Sequence, residues 1–448
     1  MKCFIPRKHL VFMAPTRVTL QQSVTCPNCM GKFSPEDTLW IASHQSLAGD
    51  RRLRREDALM RFLPSRFSLD GFAIDPKGVV CKKLACPNCH LEIPREVLEI
   101  RTKFFSIIGT PGSGKSFLLA CMTHELRRVM QEKFLLRFFD PDPTFNNALI
   151  QYENNIFHNP TPEKHCTPDD LIRRTQELDN SLFNEVLFSD QAVNLAKPFI
   201  FQIEPGNGHP HAINNEHRLI SLYDNSGESF KTGKDTSENQ VTLHLREADA
   251  LFYLFDPTQN IRIRKEAERV QQQSMNSYKN IDDRQETILS EALSRIWRHR
   301  GLSASNKYDR PLVVILTKWD SWCHLVPNVS MAEPFISQPG KGAQHLLSIP
   351  MIHQASKQMK KFLENYAPNI VNACENFAKD TVYIPVSSFG SRPTLGSENN
   401  AMVKPSEIRP IWASVPMLYA LAKIVKDILP LCLKNPDVAT HYPKNNRP

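Results

Sequence analysis

The chain has 448 residues, 41% hydrophobic and 23% charged, which is enough apolar material for a packed core and excludes a wholly disordered chain. Its length favours two or three folded units. The net charge of +8 is mild; residues 1–100 hold 15 Lys+Arg against 10 Asp+Glu, so +5 of it lies there. That lean admits nucleic acid or another acidic partner, although solvated surface charge is its commoner cause.

The 11 cysteines are odd in number, and singles such as Cys121, Cys323, Cys374 and Cys432 lie in ordinary helix or strand patterns. This argues against a disulfide framework and for a reducing compartment. Residues 1–15 are too polar and too broken by proline for a signal peptide. The longest apolar runs, such as 250–255 and 312–316, are too short to span a bilayer. The expectation is a soluble, cytoplasmic protein.

Along the chain, residues 16–100 come first, with few periodic segments and two identical tetrapeptides, Cys26-Pro-Asn-Cys29 and Cys86-Pro-Asn-Cys89. Four thiolates suit a tetrahedral zinc ion with no open position, hence a structural site. The repeat of one tetrapeptide points to one metal served by both pairs. The wide gap between them requires residues 39–80 to loop out, with Cys81 and His90 as spare ligands. The run Arg51-Arg52-Leu53-Arg54-Arg55 falls in that loop, where a solvated helix face is a simpler reading than a nucleic-acid contact.

From about residue 103, apolar strands alternate with helical stretches. Strands are expected at 103–108, 134–139, 198–203, 219–223, 250–255, 312–316 and 381–386. Helices are expected at 117–131, 261–300 (as one or two), 351–377 and 415–428. Such alternation implies a parallel sheet with helices on both faces. The fold class expected is α/β of the P-loop GTPase type, with a mostly parallel sheet and a small N-terminal zinc-binding module. Residues 101–430 form the nucleotide domain, interrupted by a proline-containing insertion or mobile loop at about 140–197, and 431–448 read as a flexible tail.

Chemistry concentrates at four places. Gly109-Thr110-Pro111-Gly112-Ser113-Gly114-Lys115-Ser116 has the Walker A pattern between a strand and a helix. Gly112 and Gly114 let the backbone curl its N–H groups toward phosphate oxygens, and the helix that follows adds the positive end of its dipole. Lys115 is placed to reach the β- and γ-phosphates and Ser116 to ligate magnesium. Next, the strand Leu219–Tyr223 leads into Asp224-Asn225-Ser226-Gly227, where Asp224 would hold magnesium through water and the Gly227 amide would meet the γ-phosphate.

Third, an apolar strand exits into Thr317-Lys318-Trp319-Asp320, at the strand end where open α/β sheets bind ligands. A carboxylate there accepts two hydrogen bonds from guanine N1–H and its exocyclic amine, which adenine lacks, while the Lys318 stem lies along the base. The fourth place is Ser387-Ser388-Phe389-Gly390, in the position of a loop whose amides buttress the base. Glu228, where many GTPases carry a glutamine, is the candidate to orient the attacking water. The first-switch threonine falls among Thr144, Thr161 and Thr167, with the Thr-Pro pairs at 161 and 167 preferred.

Zinc knuckles ahead of a P-loop, Asp-x-x-Gly, Thr-Lys-x-Asp and Ser-Ser-x-Gly, in that order over about residues 20–430, resemble the double-GTPase group of bacterial conflict-system GTPases. That resemblance implies the translation-factor-related GTPase class and a switch coupled to another GTPase or an effector. It assigns Lys115, Ser116, Asp224, Gly227, Thr317, Lys318 and Asp320 the roles above. The 109-residue spacing from Lys115 to Asp224 and the glutamate at 228 depart from the small-GTPase pattern. The expected ligands are GTP, Mg2+ and Zn2+. Two alternatives stand beside this reading: a zinc-containing P-loop ATPase acting on nucleic acid, and a scaffold that holds GTP without hydrolysing it.

Overall fold

The computed structural model describes residues 19–53, 58–172, 183–189, 191–214, 216–225, 243–271, 285–301, 306–338, 344–396 and 400–434. Its centre is a seven-stranded sheet: β1 (Thr102–Gly109), β2 (Leu136–Phe139), β3 (Phe199–Pro205), β4 (Arg218–Asp224), β5 (Ala250–Phe255), β6 (Leu312–Leu316) and β7 (Thr381–Pro385). Their spatial order is β2-β3-β4-β1-β5-β6-β7. All seven expected strands are present, with ends shifted by at most a few residues. β4, β1, β5, β6 and β7 run parallel, whereas β3 is antiparallel to both of its neighbours. The sheet is therefore mostly parallel, as expected, with β3 as the strand that reverses. Among the described residues between β3 and β4 the only regular element is a 3-10 turn, Pro210–Ala212. No crossover helix intervenes there, so the chain returns on itself.

The strands are buried on both faces, and the period of two sorts their side chains. In β5, Ala250, Phe252 and Leu254 join one cluster, while Leu251, Tyr253 and Phe255 join the other. The first face is covered by α1 (Lys115–Phe134), α2 (Asn147–Phe157) and, late in the chain, Val415–Ile424. The second is covered by α4 (Gln285–Arg300), which follows α3 (Ile261–Gln271), and by α6 (Pro368–Phe377). Between those two stretches of chain, α5 (Ile349–Tyr366) sends Ile352 and Ala355 to the first cluster and Met359, Phe362 and Leu363 to the second. It therefore closes the β7 edge, where Tyr383 N–H also donates to Ser356 Oγ at 2.9 Å.

Two helix expectations change. The stretch 351–377 is two helices, because Ala367 leaves helical geometry (φ −143°, ψ 56°) ahead of Pro368. A proline ring disfavours the α conformation in the residue before it and removes one N–H donor. The last helix stops at Ile424, where Val425 takes an extended backbone (φ −124°, ψ 109°). Within 261–300 the described helices are α3 and α4, and residues 272–284 lie outside the described part.

The N-terminal residues form small sheets of two- and three-residue strands. Leu39–Ile41 pairs with both Arg61–Phe62 and Leu84–Ala85, and the latter pairs with Glu92–Ile93. Residues 39–80 therefore do not simply loop out, since two of their segments rejoin the second knuckle. Asp75 organises the bend: its carboxylate accepts from the N–H groups of Ser43, His44, Lys77 and Val79. Although burial pushes that carboxyl up, these four backbone donors hold it below the usual range. Arg51 and Arg52 are described and Arg54 and Arg55 are not.

Within 140–197, the chain forms α2 and a hairpin, Phe183–Phe188 with Gln191–Ala196. Val186, Val193 and Leu195 of that hairpin share a core with Val24, Phe33, Leu84 and the four knuckle cysteines. Leu431 and Cys432, at the start of the expected tail, pair with Leu347 and Ser348, while residues 435–448 lie outside the described part.

One buried bond joins the knuckles to the sheet. The Tyr223 hydroxyl, at the end of β4, donates to Pro27 O at 2.5 Å, and its ring stacks on His244 with centroids 4.3 Å apart. Tyr223→Phe leaves that carbonyl without its donor in a dry environment. The expected loss is about 1–3 kcal/mol, read from urea unfolding followed by tryptophan fluorescence.

Candidate functional site

β1 sits between β4 and β5, and the chain after it goes first to one side and later to the other. Its C-terminal end is the switch point of the sheet, where parallel α/β folds open a crevice. The loop 109–114 grows from that end. A Cβ at Gly109 would stand 2.9 Å from Ser113 Oγ and 3.1 Å from Leu254 O, so only glycine fits between the loop and β5. Gly112 (φ 72°) and Gly114 (φ 91°) supply the left-handed turns that bring the chain into α1. Ser113 closes the loop by donating from its N–H and its hydroxyl to Thr110 O, at 3.2 and 2.8 Å. The loop is braced from outside by Gln259, which accepts from Thr110 Oγ1 at 2.8 Å and donates to Pro111 O at 3.1 Å.

Lys115 is buried, and its ammonium donates to the carbonyls of Gly109 (3.0 Å) and Thr110 (2.8 Å). Ser116 Oγ lies 3.2 Å from Asp224 Oδ2. Asp224 Oδ1 is buried and has no hydrogen-bond partner among the described residues. Burial pushes the Asp224 carboxyl up, against the pull of Lys115 and the Ser116 hydroxyl. The same burial pushes the Lys115 ammonium down, and Asp224 opposes it. A hydroxyl and a carboxylate so placed, with one carboxylate oxygen left over, form a donor set of the kind a hard divalent cation takes. They are the two residues expected to hold magnesium.

Asn225 follows, and its amide donates to Ile107 O at 2.8 Å. His244 joins it: one ring nitrogen lies 2.8 Å from Asn225 Oδ1 and the other 2.8 Å from Ser106 Oγ. The turn after β4 is thereby tied back to β1. Gly227 and Glu228 lie outside the described residues.

The third motif leaves β6 with Lys318 in left-handed geometry (φ 55°). Its ammonium donates to Gly112 O at 3.1 Å and to Asp256 Oδ2 at 2.6 Å, so one side chain spans two loops. Thr317 is held against Phe255 O, its N–H at 3.0 Å and its hydroxyl at 3.4 Å. The Trp322 indole donates to Thr317 O at 2.8 Å. Asp320 meets the fourth motif directly: the Ser387 hydroxyl donates to one carboxylate oxygen, and Ser321 Oγ donates to the other at 3.0 Å. Burial pushes the Asp320 carboxyl up, with those two hydroxyls pulling against it. Ser388 borders α1, where its carbonyl accepts from the Cys121 thiol at 3.4 Å. Gly390 N–H donates to Ser387 Oγ at 2.7 Å.

The two sites beyond β1 and β6 are therefore one place, with Lys318 as the link. Asp256, which fixes that lysine, was missed in the sequence. It follows an apolar strand, as Asp224 and Asp320 do, and the strand-exit rule applied evenly would have found it. Gln259 and His244 carry no such signal, because only the tertiary fold brings them to the loop and to Asn225. The threonines expected of the first switch are each engaged locally. The Thr144 hydroxyl donates to the Asp142 carboxylate, the Thr161 hydroxyl donates to Asn159 Oδ1, and Thr167 closes a capping box with Asp170.

The knuckles form a second centre. Cys26, Cys29, Cys86 and Cys89 are buried with all four sulfurs within 4.8 Å of one another. The Cys26–Cys89 and Cys29–Cys86 separations are both 3.8 Å. Tetrahedral zinc with bonds of about 2.3 Å requires sulfur–sulfur edges of about 3.8 Å. The spacing also excludes disulfides, which need about 2 Å. The two turns repeat one design. Asn28 N–H lies 3.3 Å from Cys26 Sγ and Asn88 N–H 3.3 Å from Cys86 Sγ, with Met30 (φ 58°) and His90 (φ 62°) left-handed beyond them. Such amides steady thiolates on a metal. The spare ligands drop out, since Cys81 points at Val79 O and the His90 ring is paired with Asp50 at 2.9 Å.

No protein family and no curated protein matches the chain by sequence. Among solved structures it is similar to the S. cerevisiae Ski7 GTPase-like domain bound to GTP, at 13% identity and a TM-score of 0.29, over 73% of this chain and 51% of that one. It is also similar to Sup35 complexed with GDP, at 12% identity and a TM-score of 0.24, over 69% and 44%. The chain spans about half the length of these structures. At such scores neither likeness bears on the site. No helix among the described residues is long and apolar enough to cross a membrane.

The four-cysteine centre is expected to hold one zinc per chain, measured by plasma mass spectrometry on gel-filtered protein. Cys86→Ser should abolish that stoichiometry and lower the thermal midpoint by several degrees, because one ligand fewer opens the tetrahedron.

Proposed function

We propose that the chain is a GTP-binding and GTP-hydrolysing switch that works with magnesium. The observation that carries this reading is the fixed Asp320 carboxylate beside Ser387, joined to the phosphate loop through the Lys318–Gly112 bond of 3.1 Å. A carboxylate held from below by two hydroxyls keeps lone pairs for two donors on one edge of a base. Guanine offers that pair, and adenine would leave the buried carboxylate without it. Thr317 and Lys318 position the base, and the Ser387 and Ser388 loop lies alongside. Gly109, Gly112, Ser113 and Gly114 shape the cradle for the phosphates, Lys115 supplies a cation at its floor, and Ser116 and Asp224 hold the magnesium. When bound, that ion neutralises charge on the β- and γ-phosphates. Gly227 and Glu228 complete the reading from sequence alone, Gly227 as the γ-phosphate amide and Glu228 as the residue that positions water.

The same proposal takes residues 16–100 as a zinc module, 101–430 as the nucleotide domain and 431–448 as a tail. It places the chain in the cytoplasm, with a partner protein that is another GTPase or an effector. The order of its motifs supports grouping it with bacterial conflict-system GTPases.

Titration with fluorescent GTP and ATP analogues in magnesium tests the base site. Two charge-assisted hydrogen bonds of about 1.5–3 kcal/mol each correspond to a preference for GTP of roughly 10²–10⁴. Asp320→Ala should remove most of it; equal affinity for ATP, unchanged in that variant, would move a zinc-containing ATPase to first place. For hydrolysis, Glu228→Ala should lower the single-turnover rate at least tenfold with little change in GTP affinity. A wild-type rate in that variant rejects the glutamate's role, and intact GTP retained for hours by the unaltered protein identifies a scaffold instead.

A further inference from the structure

A polar cavity lies at the far end of β1, away from the loop at Gly109. It has a volume of about 340 Å³ and is bounded by the N-terminal module, by Thr102–Phe104 and by the chain just past α7 (Val415–Ile424). β1 has eight residues at about 3.3 Å each, so this cavity stands roughly 20 Å from the loop that begins at Gly109.

Four cationic residues from three stretches of the chain line it: Arg101 and Lys103 at the start of β1, Arg218 at the start of β4, and Lys426. Lys103 is neutralised by Asp249 at 3.0 Å and Arg218 by Glu216 at 2.7 Å. Arg101 and Lys426 are exposed and have no carboxylate within ion-pair distance among the described residues. The lining thus keeps a surplus of two positive charges. Ser23, Thr25 and Thr102 add hydroxyl groups to the same wall. Gln21 contributes no free donor, since its amide is spent on Val97 O and Ile100 O.

We propose that this cleft binds a ligand bearing phosphate groups, at a site separate from the nucleotide site. A surplus of two cations with hydroxyls around them matches a phosphate dianion or diphosphate better than a single carboxylate. An arginine fork grips two phosphate oxygens at once, and a lysine adds a point charge. The volume admits a diphosphate with a small attached group and is too small for a duplex. The same chemistry is presented by a free phosphorylated metabolite and by the phosphorylated end of a nucleic acid.

Inorganic pyrophosphate titrated calorimetrically into full-length Lys115→Ala protein tests this, because that background weakens the phosphate loop. One site per chain is expected, and Arg101→Glu combined with Lys426→Glu should weaken it at least tenfold. Both residues are exposed, so the fold should survive, as circular dichroism would check. The same pair of substitutions in the unaltered Lys115 protein should leave GTP affinity unchanged, which keeps this result separate from the fate of the GTP site. Absence of pyrophosphate binding, or binding that survives both charge reversals, overturns the proposal. Competition by a 5′-phosphorylated oligonucleotide but not its 5′-hydroxyl twin supports a nucleic-acid end as the source. Competition by neither supports a free small ligand, and equal competition by both overturns recognition through phosphate.

Discussion

The hydrogen bonding of β1 on both of its edges is the constraint on which the site depends. Its residues pair in parallel with β4 from Thr102 to Ile107 and with β5 from Phe105 to Gly109. A slip of one residue would turn Phe105 and Ile107 from the α1 face to the α4 face and bring Ser106 into contact with apolar side chains. Burial on both faces makes such a slip prohibitive, so the strand ends at Gly109 and nowhere else. The loop inherits that precision, because Leu254 of β5 leaves room there for no side chain. β5 and β6 are fixed in the same way, which is why Asp256 and Lys318 come out side by side.

Buried charge is what such a frame can hold and a looser one cannot. Lys115, Asp224 and Asp320 all lose water, and each is shifted toward its neutral form by that loss. An isolated buried charge costs several kcal/mol, far more than a surface pair returns. Here each charge has partners supplied by loop carbonyls, hydroxyls or an opposite charge, and among the described residues Asp224 Oδ1 has none. The strain of an unsatisfied carboxylate oxygen is the kind of cost a fold retains where a ligand removes it.

The residues that announce themselves in the sequence are those whose chemistry is local. A glycine-rich turn between an apolar strand and a helix, or an aspartate at a strand exit, is specified by neighbours in the chain. Lys115, Asp224, Lys318 and Asp320 were legible for that reason, as were all seven strands. The paired Cys-Pro-Asn-Cys turns were legible because each is set by four consecutive residues. What was hidden depends on contacts between distant segments. Gln259 reaches the loop from far along the chain, and His244 reaches Ser106 from the turn past β4. The antiparallel sense of β3 is likewise a property of its connection, which holds no crossover helix, and not of the strand's own residues. Pro368 could have been read, since the helix break before it follows from the ring alone.

The N-terminal module looks in sequence like an appendage and in structure shares a core with the sheet. Val186, Val193 and Leu195 of the hairpin within 140–197 pack with the knuckle cysteines, and so do Ile200 of β3 and Leu219 of β4. Apolar contacts of this kind are permissive about exact placement. The Tyr223–Pro27 bond is not, because a buried hydroxyl and a buried carbonyl must meet at hydrogen-bond distance or both go unpaired. Tyr223 directly precedes Asp224, and its ring lies flat on His244, which holds Asn225. The same residue that docks the knuckle therefore flanks the carboxylate on one side while the imidazole secures the other. Any displacement of the first knuckle relative to β4 must break that hydrogen bond, move the ring or move the strand end. In a close-packed core the first costs least, so the bond limits how far the knuckle can shift before the two centres part.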